Sequence, residues 1–276
     1  MKKAALSLIA LGALVVFLPD RTLDPWQLLN LRKISSILFT LALIQIIGIT
    51  IAKHLGARAT TVMTGFLGGL VSSTVVTIAL SRKSHQHVHG QISSETIGFL
   101  AATAAMLIEG LTFVILNGHA SLTSISPLFL FPILAACALI LFHSRTRRQP
   151  SIHLPIASFR LKPTLELGLF IVVILAISKL LLHSFGTTGL LLQTFITSLF
   201  EVHGPIIANM QLHNVGTISQ ETFVLLIAIS LGASFISKLV LASLLGTVQF
   251  KTRILKCTLA LTGSLFAGWT IISAFK

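Results

Sequence analysis

The chain has 276 residues, 54% of them apolar and 10% charged, with a mean hydropathy of +0.95, whereas soluble globular chains carry roughly 25% charged residues. A soluble enzyme, a disulfide scaffold and a disordered regulator are excluded, because no sizeable polar stretch exists to face water. The net charge of +13, from 20 Lys and Arg against 7 Asp and Glu, falls nearly all between apolar runs; it marks membrane flanks and not a nucleic-acid surface.

A helix crossing the bilayer needs about 20 mostly apolar residues. Such runs lie near 4–19, 34–52, 61–80, 96–117, 125–143, 163–182, 188–202, 219–246 and 254–275. They predict an all-α polytopic membrane protein with about nine transmembrane segments. The first run follows Lys2-Lys3 and ends in Leu18-Pro19-Asp20-Arg21 without a small-residue cleavage site, so it reads as a retained helix. Trp26 and Trp269 fall near span ends, where an amphipathic ring suits the headgroup layer. His85, His87 and His89 alternate beside Arg82-Lys83, which reads as a solvated linker in preference to a metal tract. Cys137 and Cys257, each alone in an apolar run, read as packing residues. Flanking charges leave the orientation open: their distribution favours an outside N-terminus, whereas Lys2-Lys3 argue the reverse.

An internal repeat organises these runs. Leu31-Arg32-Lys33, an apolar run and His54-Leu55-Gly56 recur as Leu161-Lys162-Pro163, an apolar run and Ser184-Phe185-Gly186. Ile92-Ser93-Ser94-Glu95-Thr96 is echoed by Ile218-Ser219-Gln220-Glu221-Thr222. The expected organisation is an N-terminal helix and loop at 1–30, a first membrane repeat at 31–150 and a second at 151–276, joined by a polar segment carrying Arg145, Arg147 and Arg148. Repeated halves are a common plan for secondary transporters, with the site at the repeat interface near mid-membrane. Four full crossings per half would make the copies parallel. If 61–80 and its partner at 188–210 only dip in and out, they are inverted.

Gly65, Gly68 and Gly69 precede Ser72-Ser73-Thr74. This density of small and hydroxylated residues fits either close helix packing or a broken helix whose freed groups line a cavity. Aligning the halves sets Ser72 against Glu201 and Thr74 against His203, followed by Gly204-Pro205 and Asn209. The second set reads as a mid-membrane polar site, with an aqueous loop as the alternative. Glu109 and Lys238 sit at nearly the same depth of corresponding runs and are expected to face each other across the repeat interface as a structural, coupling or gating pair. Lys179, near a span end, reads as a snorkelling residue. No metalloprotease, nucleophile-elbow or phosphate-loop pattern is present. No enzyme activity, catalytic residue, metal site, cofactor or nucleic-acid partner is therefore expected. The expected partners are the bilayer and an ion or small polar substrate, with homo-oligomerisation left open.

The stretches Leu18-Pro19-Asp20-Arg21-Thr22-Leu23-Asp24-Pro25-Trp26, Leu29-Asn30-Leu31-Arg32-Lys33 and Gly65-Phe66-Leu67-Gly68-Gly69-Leu70-Val71-Ser72-Ser73-Thr74 resemble the membrane domain of unknown function, catalogue number 4010, attached to bacterial MgtC/SapB-type proteins. The resemblance runs over nearly the whole chain, with the MgtC-like N-terminal domain missing. In that family an Asp-x-Asp pair is usual where this chain has Glu201 and His203. Lys238 matches a typical Lys, and Glu109 stands where a basic residue is more usual. The resemblance implies a multi-pass protein of the bacterial inner membrane with no settled substrate. The reading that results is a transporter or permease lined by Ser72, Ser73, Thr74, Glu201, His203 and Asn209. Its rival is a membrane regulatory or interaction protein of the MgtC/SapB type without transport activity.

Overall fold

A computed structural model describes residues 2–22, 30–55, 60–86, 93–118, 122–144 and 161–274. Among them the chain forms nine α-helices and no strand: α1 (Lys2–Phe17), α2 (Leu31–Leu55), α3 (Thr61–Lys83), α4 (Ser93–Asn117), α5 (Leu122–Ser144), α6 (Leu161–Phe200), α7 (His203–Asn214), α8 (Gln220–Leu245) and α9 (Val248–Ala274). Helix is the outcome expected of such sequences, because hydrocarbon offers backbone N–H and C=O groups no partner and the helix satisfies them within one segment. Seven of these helices, α2 to α6, α8 and α9, are long and apolar enough to cross a membrane. Their outward faces carry exposed large apolar side chains, among them Leu134, Phe142, Leu180, Phe200, Leu244 and Phe266. The protein is therefore a polytopic membrane protein whose helices contact lipid.

Local chemistry sets the helix ends. Asn30 caps α2, its Oδ1 accepting from Lys33 N at 3.0 Å while its Nδ2 donates to Asp20 Oδ1 at 2.8 Å. Thr60 caps α3 by accepting from Met63 N, the usual Ncap arrangement. α6 has 40 residues, about 60 Å of helix and twice the hydrocarbon thickness. Gly186, at φ 60° and ψ −151°, breaks it into limbs at 161–185 and 187–200, which correspond to the two predicted runs at 163–182 and 188–202. A positive φ of this kind favours glycine, which has no Cβ to clash.

In chain order, α2, α3, α4 and α5 are followed by the first limb of α6, the second limb with α7, then α8 and α9. The Cα packing forms two compact units, each assembled from separated segments. The first unit comprises Met1–Ile47, Thr112–Leu122 and Ser158–Ala233, and the second Gly48–Leu111, Thr123–Ala157 and Ser234–Lys276. In the first, Leu11, Ile34, Leu38 and Ala42 form a cluster with Leu8, Phe39, Leu161 and Val172 packed against it. In the second, α3 and α4 meet backbone to backbone. A Cβ on Gly69 would lie 2.5 Å from Ala102 Cα, and one on Gly65 would lie 2.8 Å from Gly98 Cα.

Cys257 is buried, as expected of a packing residue, but Cys137 is exposed on α5. An apolar run does not say which of its faces turns inward, since lipid accepts a thiol as readily as the interior does. Trp26, His87, His89, Arg145, Arg147 and Arg148 lie outside the described residues.

Candidate functional site

α3 is broken at Ser72, whose backbone is extended at φ −169° and ψ 107°. Its hydroxyl accepts from Val75 N at 3.3 Å, so Ser72 acts as the N-cap of a second limb. The bend is sharp. A Cβ on Gly68 would lie 2.9 Å from the Val76 side chain, whereas eight residues of straight helix separate two Cα atoms by about 12 Å. The limbs, 61–71 and 73–83, therefore fold back as a hairpin with Ser72-Ser73-Thr74 at its tip. Ser73 is buried and Ser72 and Thr74 are half-buried. Beyond the tip, Thr77 Oγ1 donates to Ser73 O and Ser81 Oγ to Thr77 O.

A second break lies between α6 and α7. The second limb of α6 ends at Phe200 and α7 begins at His203. Glu201 Oε2 accepts from Gly204 N, so Glu201, like Ser72, receives the backbone N–H three residues ahead. A carboxylate also suits the positive end of α7. Its other oxygen lies 3.1 Å from His203 Nδ1. The imidazole, 12% exposed in its side chain, meets Phe113 edge to face at a centroid distance of 5.7 Å. Gly204 lets Phe170 approach, since a Cβ there would lie 2.9 Å from its ring. Pro205 fits because it occupies the first turn of α7, where no intrahelical N–H bond is lost. The returning helix is tied back by Asn209, which is 1% exposed and donates through Nδ2 to Thr194 Oγ1 at 3.0 Å.

Glu201 and His203 are thus in direct contact, and Asn209 lies farther along the same hairpin; all three belong to the first unit. Ser72, Ser73 and Thr74 belong to the second unit, as do Glu109 and Lys238, both 2% exposed. Lys238 Nζ donates to Ser234 Oγ at 2.6 Å and to Met106 Sδ at 3.1 Å. This sets the ammonium against α4 at Met106, one helical turn before Glu109.

A polar seam in the α6 hairpin escaped the sequence reading. Ser178 Oγ donates to Gln193 Oε1 at 2.9 Å and Gln193 Nε2 to Ile174 O at 3.0 Å, which joins the two limbs of α6. Thr194 and Ser198 are buried beside it. Polar residues at 193, 194, 197 and 198 in an otherwise apolar run, spaced for one helix side, were the available signal.

The family model described as Domain of unknown function (DUF4010) matches residues 40–246, and the chain belongs to that family. The match includes both broken helices, Glu109 and Lys238. No curated protein and no solved structure matches the chain.

Proposed function

We propose that this DUF4010 protein is a transporter or permease for an ion or small polar solute, with the two helical hairpins as its solute-handling elements. The observation that carries the reading is the pair of breaks at Ser72 and Glu201, each capped from the residue three positions ahead. The four limbs have 11 to 14 residues, about 16–21 Å, and so reach between half and about two thirds of the way through a roughly 30 Å hydrocarbon core. Polar tips at that depth are tolerated where protein or a wet cavity satisfies them. Three full crossings and one hairpin per half would turn the second half over, the inverted-repeat plan of many transporters. Ser72, Ser73 and Thr74 on one hairpin and Glu201, His203 and Asn209 on the other supply the polar groups, and Glu109 with Lys238 a structural or coupling charge pair. Histidine is the side chain whose ordinary chemistry suits proton coupling near neutral pH, and His203 supplies one at this hairpin. The resemblance to MgtC/SapB-associated domains supports a bacterial inner-membrane location.

The test pairs a substrate-panel flux assay in proteoliposomes with cysteine accessibility at 72–76 and 201–205 in a background lacking Cys137 and Cys257. Transport predicts flux and labelling of both tips by a membrane-impermeant thiol reagent. Unlabelled tips and no flux would favour the regulatory reading.

A further inference from the structure

We propose that the hairpin formed by the second limb of α6 and α7 binds a monovalent hard cation of the Na+ class, with Ser198 Oγ and Asn209 Oδ1 as ligands and Glu201 as the balancing charge. Both ligand side chains are buried, at 2% and 1% exposure, and neither oxygen has a hydrogen-bond partner among the described residues. Leaving a buried polar group unpaired is costly, so two in one hairpin call for an occupant. Their placement is shared. Asn209 is held across the hairpin by Thr194, and Ser198 lies one turn from Thr194 toward the tip, on the same side of α6.

The chemistry points to a cation. Asn209 Oδ1, a carbonyl oxygen, can only accept, and the donation of Nδ2 to Thr194 leaves that oxygen as the free end of the amide. Ser198 lies in the last turn of α6, at the negative end of the helix dipole. Residues 187–214 contain no Lys or Arg, and Glu201 is their one carboxylate, so the hairpin offers an anion no permanently charged partner. One carboxylate and neutral oxygens suit a single positive charge. A divalent ion would call for more carboxylates or imidazoles, and no group of three or more His, Cys, Asp and Glu placed to hold a metal occurs among the described residues.

The inference rests on the transport reading for its purpose, and on the hairpin alone for its chemistry. The experiment therefore measures binding without flux: 22Na+ equilibrium binding and thermal unfolding of the full chain in detergent, in NaCl against choline chloride at equal ionic strength. Wild type is expected to bind Na+ saturably and melt higher in NaCl. Ser198→Ala, which removes a hydroxyl without a protein partner, should fold normally and melt no lower in choline, yet bind Na+ at least tenfold more weakly; Asn209→Leu also loses the bond to Thr194 and should melt lower in both salts, with Na+ binding weakened to a similar degree. Absence of Na+ binding by wild type, or an undiminished Na+ response in Ser198→Ala, would overturn the proposal. Solute flux without Na+ binding overturns it while sparing the transport reading, and Na+ binding without flux supports it while counting against that reading.

Discussion

Replacing Gly69 with Ala should destabilise the protein, whereas the same change at Gly232 should not. At Gly69 the new methyl would lie 2.5 Å from Ala102 Cα and 2.7 Å from Ala102 O, against about 3.5–4.0 Å for ordinary carbon contacts. Both obstructing atoms are backbone, so no rotamer change relieves them, and α3 and α4 must separate by about 1 Å. Overpacking of this kind costs about 1–3 kcal/mol, or roughly 2–10 °C in Tm for a chain of this size. Gly65 makes the same approach to Gly98 one turn earlier. A single displacement relieves both clashes, so the double variant should cost less than the sum of the two. At Gly232 an added Cβ meets nothing within 4 Å, and alanine there should gain up to about 1 kcal/mol of helix stability. Thermal unfolding of the purified variants in one detergent should rank Gly232→Ala at or above wild type and Gly69→Ala below it. A Gly69→Ala protein as stable as wild type would refute the backbone contact that fixes the first limb of the α3 hairpin.

Ser72→Ala removes the cap on Val75 N and should cost about 1 kcal/mol, while Ser72→Asp, which keeps an acceptor, should retain most of it; equal stability of the two would mean that Ser72 is not a cap. Glu109→Gln and Lys238→Met should each destabilise the fold by about 3–5 kcal/mol through an uncompensated buried charge, with the double change costing less than the sum. Normal folding and transport in both single variants would end the assignment of a pair. His203→Gln should make solute flux insensitive to pH around neutrality, and a retained pH profile would remove proton coupling through this residue.

Helix positions were legible because hydropathy is a property of consecutive residues, and Gly186 fell in the gap between two predicted runs. Ser72 and Glu201, singled out together in the sequence, each accept from the backbone N–H three residues ahead. The bend at Ser72 was beyond composition. A run such as 61–80 has the same apolar content whether it crosses or turns back, and only the approach of Val76 to Gly68 distinguishes the two. The bond from Gln193 to Ile174 O was hidden for a related reason: it joins limbs separated by the Gly186 turn, and sequence order does not say which side of each limb faces the other.

The interleaved make-up of the two compact units bears on biogenesis. The first unit begins with Met1–Ile47 yet is completed by Ser158–Ala233. At ribosomal rates of about 5–20 residues per second, roughly 10–40 s separate the emergence of these pieces. During that interval the early helices sit in lipid without their eventual neighbours, with Asn30 and Ser35, both buried in the finished protein, short of the packing that later encloses them. Membrane insertases or chaperones that shelter half-made polytopic chains thus become a natural requirement for efficient production, and a chain severed at the central linker would yield two pieces that must find each other within the membrane.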